Sequence, residues 1–462
     1  MRILLIAYDN EAHATYFPLG LGYLASVCRK AGHEVIIYNQ DVYHFSDDFL
    51  TTYLDKNNFD VVGLGAVAGY YTYKKILNLC SAINNSKNRP ILVLGGHLVS
   101  PEPEFFLRKS RADYIVIGEG EVTLIELLES LEKKENSRKV NGIAFFENGI
   151  FVQTEKRLPI DDIDTIPFPA WDLFPMDHYT LARYPKVKRH ERSMTVLTAR
   201  GCQFKCNFCY RIENGIRLRS DESIIEELKL LNKNYHIPFF YFADELLMSS
   251  EERTIKFCKS LMKSNLKINW ICSGRLNYAK TDVLKIMKEA GCVFIYYGIE
   301  AFDDQVLRNM NKSLSIKQII AGIENTQACG ISPGFNMLFG NIGDNRKTLE
   351  KATDFLLKYD DHAELRAIKP VQPYPGSPLY YYAINNGLLK GCEDFYENKN
   401  LNTDLFSINF TDLSDEEFNI ALFDANEKIL KNYFLRKTQD NIDMLKRLYF
   451  KHDISFRGFR HT

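Results

Sequence analysis

Apolar residues in the first 135 positions arrive in short unbroken runs rather than in alternation with polar ones. The runs are Arg2–Ala7, Glu34–Tyr38, Asp60–Leu64, Ile91–Leu94 and Tyr114–Ile117. Between them, stretches such as Leu19–Lys30 and Tyr73–Ile83 repeat apolar residues at helical intervals. A strand that is apolar throughout is covered on both faces, as in a parallel sheet flanked by helices. The pattern predicts an α/β domain over residues 1–140, a Rossmann-like doubly wound parallel sheet. Glycine-bearing turns follow three of its strands: Gly65-Ala66-Val-Ala-Gly69, Gly95-Gly96-His97 and Gly118-Glu119-Gly120-Glu121. In such a sheet the ligand crevice lies beyond the carboxyl ends of the strands, and glycine lets backbone approach a ligand closely. Any one of these turns is also an ordinary chain reversal.

The pattern then changes. Gly142–Phe146 and Ile150–Thr154 flank Asn148-Gly149, which predicts a hairpin. Leu158–Tyr179 carries four prolines among aspartates and aromatics and reads as an ordered linker, giving a hairpin-and-linker segment over 141–190. From Met194 a second strand–helix alternation begins, with strands at Met194–Thr198, Phe239–Ala243, Ile268–Ser273, Val293–Ile299, Gly334–Phe339 and Leu365–Pro370. Six βα units predict a partial (β/α)6 barrel over 191–390. Residues 391–462 read as a helical segment, with Ser414-Asp-Glu-Glu as its start signal, expected to cap the barrel.

Composition narrows the partners. The 462 residues hold 58 Lys plus Arg against 59 Asp plus Glu, a balance with no footprint for nucleic acid or an anionic membrane. The first eight residues are too short an apolar run for a signal peptide, and no stretch approaches the roughly 20 apolar residues of a membrane span. A cytoplasmic protein is expected, with most of its ten cysteines as free thiols. The basic end, Arg457 to His461, reads as a frayed terminus.

Seven cysteines are scattered, and three cluster in Thr198-Ala-Arg-Gly-Cys202-Gln-Phe-Lys-Cys206-Asn-Phe208-Cys209-Tyr210. This stretch follows the first strand of the second region, where a barrel keeps its reactive loops. Three thiolates round an iron–sulfur cubane leave one iron open to a reacting molecule. The competing reading is a structural zinc site, which needs a fourth ligand. The candidates are His236, distant downstream, and His190, before the strand.

Cys-x3-Cys-x-aromatic-Cys, with Phe208 as the aromatic, resembles the radical S-adenosylmethionine (SAM) signature. The resemblance runs from about Arg192 to Lys390. It implies a 4Fe-4S cluster on Cys202, Cys206 and Cys209, whose open iron chelates SAM and cleaves it to methionine and a 5'-deoxyadenosyl radical. It also implies SAM contacts from Asp244 and Glu245, which end the second strand, from Ser273 and Arg275, which close the third, and from Glu300 in Gly298-Ile-Glu300. The chain departs from the family pattern in having Ala301 in place of Ser, and Gly340-Asn-Ile-Gly343-Asp344 without its usual proline. The amino-terminal region in turn resembles the cobalamin-binding domain of one radical SAM subfamily, implying cobalamin contacts at Gly65, Ala66, Gly95, Gly96, His97, Gly118 and Glu119. The Asp-x-His-x-x-Gly motif that supplies a lower cobalt ligand is absent, and His13 stands nearby in an unmatched setting.

The subfamily implies methyl transfer from methylcobalamin to an unactivated carbon, or to phosphorus, of a small-molecule or peptide substrate. An electron donor such as flavodoxin or ferredoxin is expected. The alternatives are a non-methylating cobalamin radical SAM enzyme that cyclises or rearranges its substrate, and a non-catalytic cobalamin or metal sensor. A tRNA methylthiotransferase would carry three further cluster cysteines in a domain that here offers Cys28 and Cys80.

Overall fold

The computed structural model describes residues 1–11, 16–212 and 214–455, without the side chain of Tyr70. His13 and the basic stretch from Arg457 lie outside the described residues.

The unbroken apolar runs form β1 (Arg2–Ala7), β2 (Glu34–Asn39), β3 (Val61–Gly65), β4 (Ile91–Gly95) and β5 (Tyr114–Val116). They pair in parallel in the order β2-β1-β3-β4-β5. Helices cover both faces, so each strand buries both sets of side chains, Ile3 and Leu5 on one side, Leu4 and Ile6 on the other. The chain order reverses between β1 and β3, and the crevice at the carboxyl edge opens there.

The hairpin, β6 (Ile143–Glu147) and β7 (Ile150–Gln153), does not stand apart. It extends the same sheet antiparallel to β5, making seven strands. Ile143, Ala144 and Phe145 are buried in the domain core, and that burial recruits the hairpin to the sheet edge. The proline-rich linker also has a binding surface. Trp171, Phe174 and Tyr179 gather round Phe17 at ring separations of 4.4 to 5.5 Å. The Ala170 N–H donates to the Gly22 carbonyl at 2.9 Å. A Cβ on Gly22 would stand 2.9 Å from both Phe17 and Pro169, so this contact requires glycine.

The second sheet is all parallel, in the order β15-β14-β13-β12-β11-β8, with β9 and β10 set apart as an antiparallel pair. The strands are β8 (Ser193–Val196), β9 (Ala199–Cys202), β10 (Gly215–Leu218), β11 (Phe239–Phe242), β12 (Asn269–Gly274), β13 (Cys292–Glu300), β14 (Ser332–Phe339) and β15 (Ile368–Pro370). Register places Thr195, Tyr241, Ile271 and Phe294 in one row and Ser273, Tyr296 and Gly334 in the next. The amino end of the barrel is filled from the linker. Ala182 and Tyr184 pack against Phe239, Ile271 and Phe294, and the Tyr184 hydroxyl meets Thr195 Oγ1 at 2.5 Å.

Among the described residues, the carboxy-terminal segment packs on the first domain and along the outer side of the barrel. Tyr396 stacks on Tyr73 of the first domain at 4.7 Å. The helix Asp415–Lys451, started by the Ser414–Glu417 capping box, packs against the barrel's outer side. There Phe418 meets Phe339 at 4.8 Å, and Asn426 bonds both backbone groups of Ile368. Among the described residues, no helix is long and apolar enough to cross a membrane.

Candidate functional site

The carboxyl edges of the two sheets face each other across one cavity of about 570 Å³. Cys202, Cys206, Phe208 and Cys209 line it from the barrel side, with Glu245, Ser273, Arg275 and Glu300 on the strand ends beside them. Gly95, Gly96, His97, Gly118 and Glu119 line it from the opposite side. Three expected contacts are not on the wall: Gly65, Ala66 and Asp244.

The cysteine loop is held from several directions. β9 ends at Cys202 and pairs with β10, so the loop's two ends are clamped together. Gly201 has φ +85°, and a Cβ there would meet the Gly215 carbonyl at 2.5 Å. Asn207 and Asn341 exchange side-chain amide hydrogen bonds at 3.0 Å, and the Asn207 N–H donates to the Met310 carbonyl at 2.9 Å. Asn341 sits in the Gly340–Asp344 loop, whose Asp344 carboxylate accepts from the Gly340 and Asn341 N–H groups at 3.0 and 3.1 Å. Burial raises Asp344 to about 6.

Asp244 corrects the sequence expectation. Its carboxylate is buried and accepts from the Thr198 N–H at 2.6 Å, the Ala199 N–H at 3.0 Å and the Thr198 hydroxyl. It anchors the base of β9 and does not reach the cavity. Burial raises it to about 6, opposed by those hydrogen bonds. Its neighbour Glu245 is exposed, lines the cavity and accepts from the Gly201 N–H at 3.1 Å. Gly65 and Ala66 also act from beneath. The Ala66 N–H donates to Gly95 at 2.9 Å, and the Leu98 N–H to Ala66 at 3.2 Å, shaping the Gly96 turn. Gly96 has φ +98°, and a Cβ there would stand 2.4 Å from the Ala66 carbonyl oxygen.

Glu119 lines the cavity with both oxygens committed. Arg200 bonds it at 2.9 Å, Arg217 at 2.8 and 3.0 Å, and the Ile160 N–H at 2.9 Å. Glu121 takes the other arm of Arg200 at 2.5 Å. Burial alone would raise Glu119, but the bonds from Arg217, Ile160 and Arg200 outweigh it and hold the carboxyl below its ordinary value. Arg200 and Arg217 face each other across the β9–β10 ladder, so the Gly118–Glu121 turn of one domain grips the strands that bracket the cysteine loop in the other. Sequence reasoning missed this clasp. The visible signal was three arginines, at 200, 211 and 217, round the cysteines of a charge-balanced chain.

Glu300 has φ +70° at a register shift between β13 and β14, and pairs with buried Lys312 at 2.9 Å. A Cβ on Gly298 would meet the Glu300 carboxylate at 2.5 Å, which explains the glycine in Gly-Ile-Glu. Arg275 lies over the Phe204 ring at 3.5 Å and donates to the Lys312 carbonyl. His97 stands edge-on to Tyr210 at 5.9 Å, joining the two walls, and loss of bulk water lowers its pKa.

The residues present fit the implied groups. The ten cysteines are unpaired, and burial pushes the Cys209 thiol up to about 12, a cost that a bound metal cluster's positive charge would reverse. Among the described residues, no three His, Cys, Asp or Glu side chains form a group able to hold a metal ion. A cubane spreads its thiolates over separate corners and does not require convergence on one ion. His236 precedes β11, at the amino end of the sheet, away from the cysteine loop at the carboxyl end. Opposite the thiols, the Gly96 turn presents bare backbone where any side chain would collide.

Comparison with known proteins decides the family. Residues 196–356 match the profile of the radical SAM superfamily, and residues 6–128 that of the B12 binding domain. An uncharacterized methyltransferase of Pyrococcus horikoshii is 32% identical over 401 residues, covering 84% of this chain and 84% of the relative.

The chain belongs to the radical SAM superfamily.

This radical SAM protein is a cobalamin-dependent enzyme whose cofactors are a 4Fe-4S cluster, SAM and cobalamin. It is also 26% identical over 396 residues to the anaerobic magnesium-protoporphyrin IX monomethyl ester cyclase of Rubrivivax gelatinosus, covering 82% of this chain and 69% of that one. Its fold matches the cobalamin-dependent SAM radical enzyme OxsB, solved with aqua-cobalamin and SAM bound, at a TM-score of 0.72. That match has 18% identity and covers 98% of this chain and 73% of OxsB.

Proposed function

We propose that this enzyme methylates a carbon or phosphorus centre of a small molecule or peptide. Cys202, Cys206 and Cys209 would hold the cluster, and Gly95, Gly96, His97 and Gly118 would border cobalamin. The observation that carries the reading is the single cavity onto which the thiol wall and the glycine wall both open. When bound, the cluster and SAM supply a hydrogen-abstracting radical, and cobalamin supplies the methyl group.

The chain's own residues do the rest. Glu245 keeps one carboxylate oxygen for a cationic amine, and Ser273 and Arg275 offer donors for a carboxylate or ribose. Glu300 is neutralised by Lys312, so it can accept hydrogen bonds without adding net charge. Leu24, Val116, Leu197 and Leu246 give the cavity apolar walls that keep water from a reactive centre. His97, kept neutral, offers one donor and one acceptor. The unpaired cysteines suit a reducing cytoplasm, where flavodoxin or ferredoxin can serve as electron donor.

The test is anaerobic turnover of the reconstituted protein with methyl-labelled SAM and a metabolite extract. Label recovered in a new product supports methyl transfer. The cyclase relative favours a second reading, non-methylating radical chemistry. It predicts deoxyadenosine formation with a product that carries no label. If strong reduction yields no deoxyadenosine at all, a non-catalytic cobalamin sensor is the better description.

A further inference from the structure

The cavity is lined by five cationic side chains: Arg200, Arg211, Arg217, Arg275 and Lys312. Four are committed. Arg200 and Arg217 grip Glu119 and Glu121, and Lys312 pairs with Glu300. Arg275 donates to the Lys312 carbonyl, lies over Phe204 and, in the reading above, gives its remaining donors to the SAM carboxylate or ribose. Among the described residues, Arg211 has no such partner: no carboxylate lies within ion-pair distance of it, and its Nε is shielded from solvent without an acceptor. Shielded guanidinium N–H groups normally find acceptors, and one left open at a cavity wall marks where an acceptor belongs.

We infer that Arg211 receives the anionic group of the substrate, a carboxylate or a phosphoryl group. The inference rests on the reading of this cavity as the reaction chamber. A planar guanidinium matches both groups through paired N–H donors, which fixes orientation as well as position. Arg211 follows the cysteine loop by two residues, so an anion held there places the rest of the substrate beside the thiol wall. Leu197, Ile212 and Leu246 add apolar surface to the same cavity. The substrate class is therefore an acid with an apolar or aromatic body.

Chemical protection tests this without turnover. The protein, with cluster and cobalamin restored anaerobically, is treated with phenylglyoxal in chloride, inorganic phosphate or acetate at matched ionic strength. Modification at each arginine is read by peptide mass spectrometry. Phosphate or acetate is expected to slow modification of Arg211 about tenfold relative to chloride, the scale of one charge-assisted hydrogen bond. The paired Arg200 and Arg217 should show no such change. Greater protection by phosphate assigns a phosphoryl group, and greater protection by acetate a carboxylate. Arg211→Gln should leave SAM affinity and cobalamin content at wild-type values. The inference is overturned if neither anion protects beyond chloride, or if Arg211→Gln weakens SAM or cobalamin binding, which would make Arg211 a cofactor contact. Because modification is read directly, labelled methyl can fail to reach any product while Arg211 protection persists, and the reverse.

Discussion

The two walls of the cavity come from parallel sheets of similar plan, yet they are built in opposite ways. The seven-stranded sheet offers mostly backbone, Gly95, Gly96, Gly118 and Gly120, with one histidine and with Glu119 and Glu121 already neutralised by Arg200 and Arg217. The barrel offers side chains: three thiols, two carboxylates and five cations. A wall of glycine has shape and little charge, and suits a large rigid group that arrives already formed. A wall of thiols and ion pairs has charge at fixed points, and suits small groups held atom by atom. The first should fail when volume is added, and the second when a single functional group is removed.

The largest expected effect breaks the barrel wall alone. Cys202→Ala should bring iron and sulfide to background and abolish deoxyadenosine formation, while cobalamin content in the reconstituted protein is unchanged. Cobalamin loss in parallel would show that the walls are not separable. Gly96→Ala breaks the other wall. Its Cβ would drive into the Ala66 carbonyl at a left-handed φ, at a cost of about 1–3 kcal/mol. Thermal melting should shift down and cobalamin content fall, with iron retained.

Glu119→Gln sharpens the comparison, because Glu119 belongs to one wall and holds the other. Removing its charge leaves Arg217 without a carboxylate and Arg200 with Glu121 alone, a loss of about 2 kcal/mol in urea unfolding once solvent screening is allowed for. A second change, Arg217→Gln, should then cost less in the Glu119→Gln background than alone. The smallest effect is a pH dependence. Burial raises Asp244 from 3.8 to about 6 in the folded protein. Its contribution to stability is therefore full below pH 3.8 and is lost as pH rises through 6. Asp244→Asn can keep the Thr198 and Ala199 N–H bonds through Oδ1 and removes this titration. From pH 5 to pH 7, the wild type should lose about 1 kcal/mol relative to that variant. Parallel curves would remove Asp244 from the account.

The sequence carried the alternation of both sheets and the cysteine triad because each depends on local pattern. Continuous apolar runs mark buried parallel strands, and three cysteines in eight residues mark a ligand loop. What it hid depends on distant pairing. Ala199–Cys202 has no two-residue alternation and becomes a strand only against Gly215–Leu218. Asp244 and Glu245 look equivalent as adjacent acids, but one points back to Thr198 and the other to the cavity. The Glu119 clasp joins positions 81 and 98 residues apart. The hairpin's place in the first sheet is settled by tertiary burial of Ile143 and Ala144 rather than by its turn.

The ladder between β9 and β10 has one more consequence. Both ends of the cysteine loop are fixed by backbone pairing and its middle is pinned by Asn207, three ties made between protein groups. Small zinc domains acquire their shape from the ion they bind. Here the ties are hydrogen bonds between protein groups, so iron chelation is expected to leave the β9–β10 pairing in place, read as unchanged amide hydrogen exchange at Ala199–Cys202 and Gly215–Leu218.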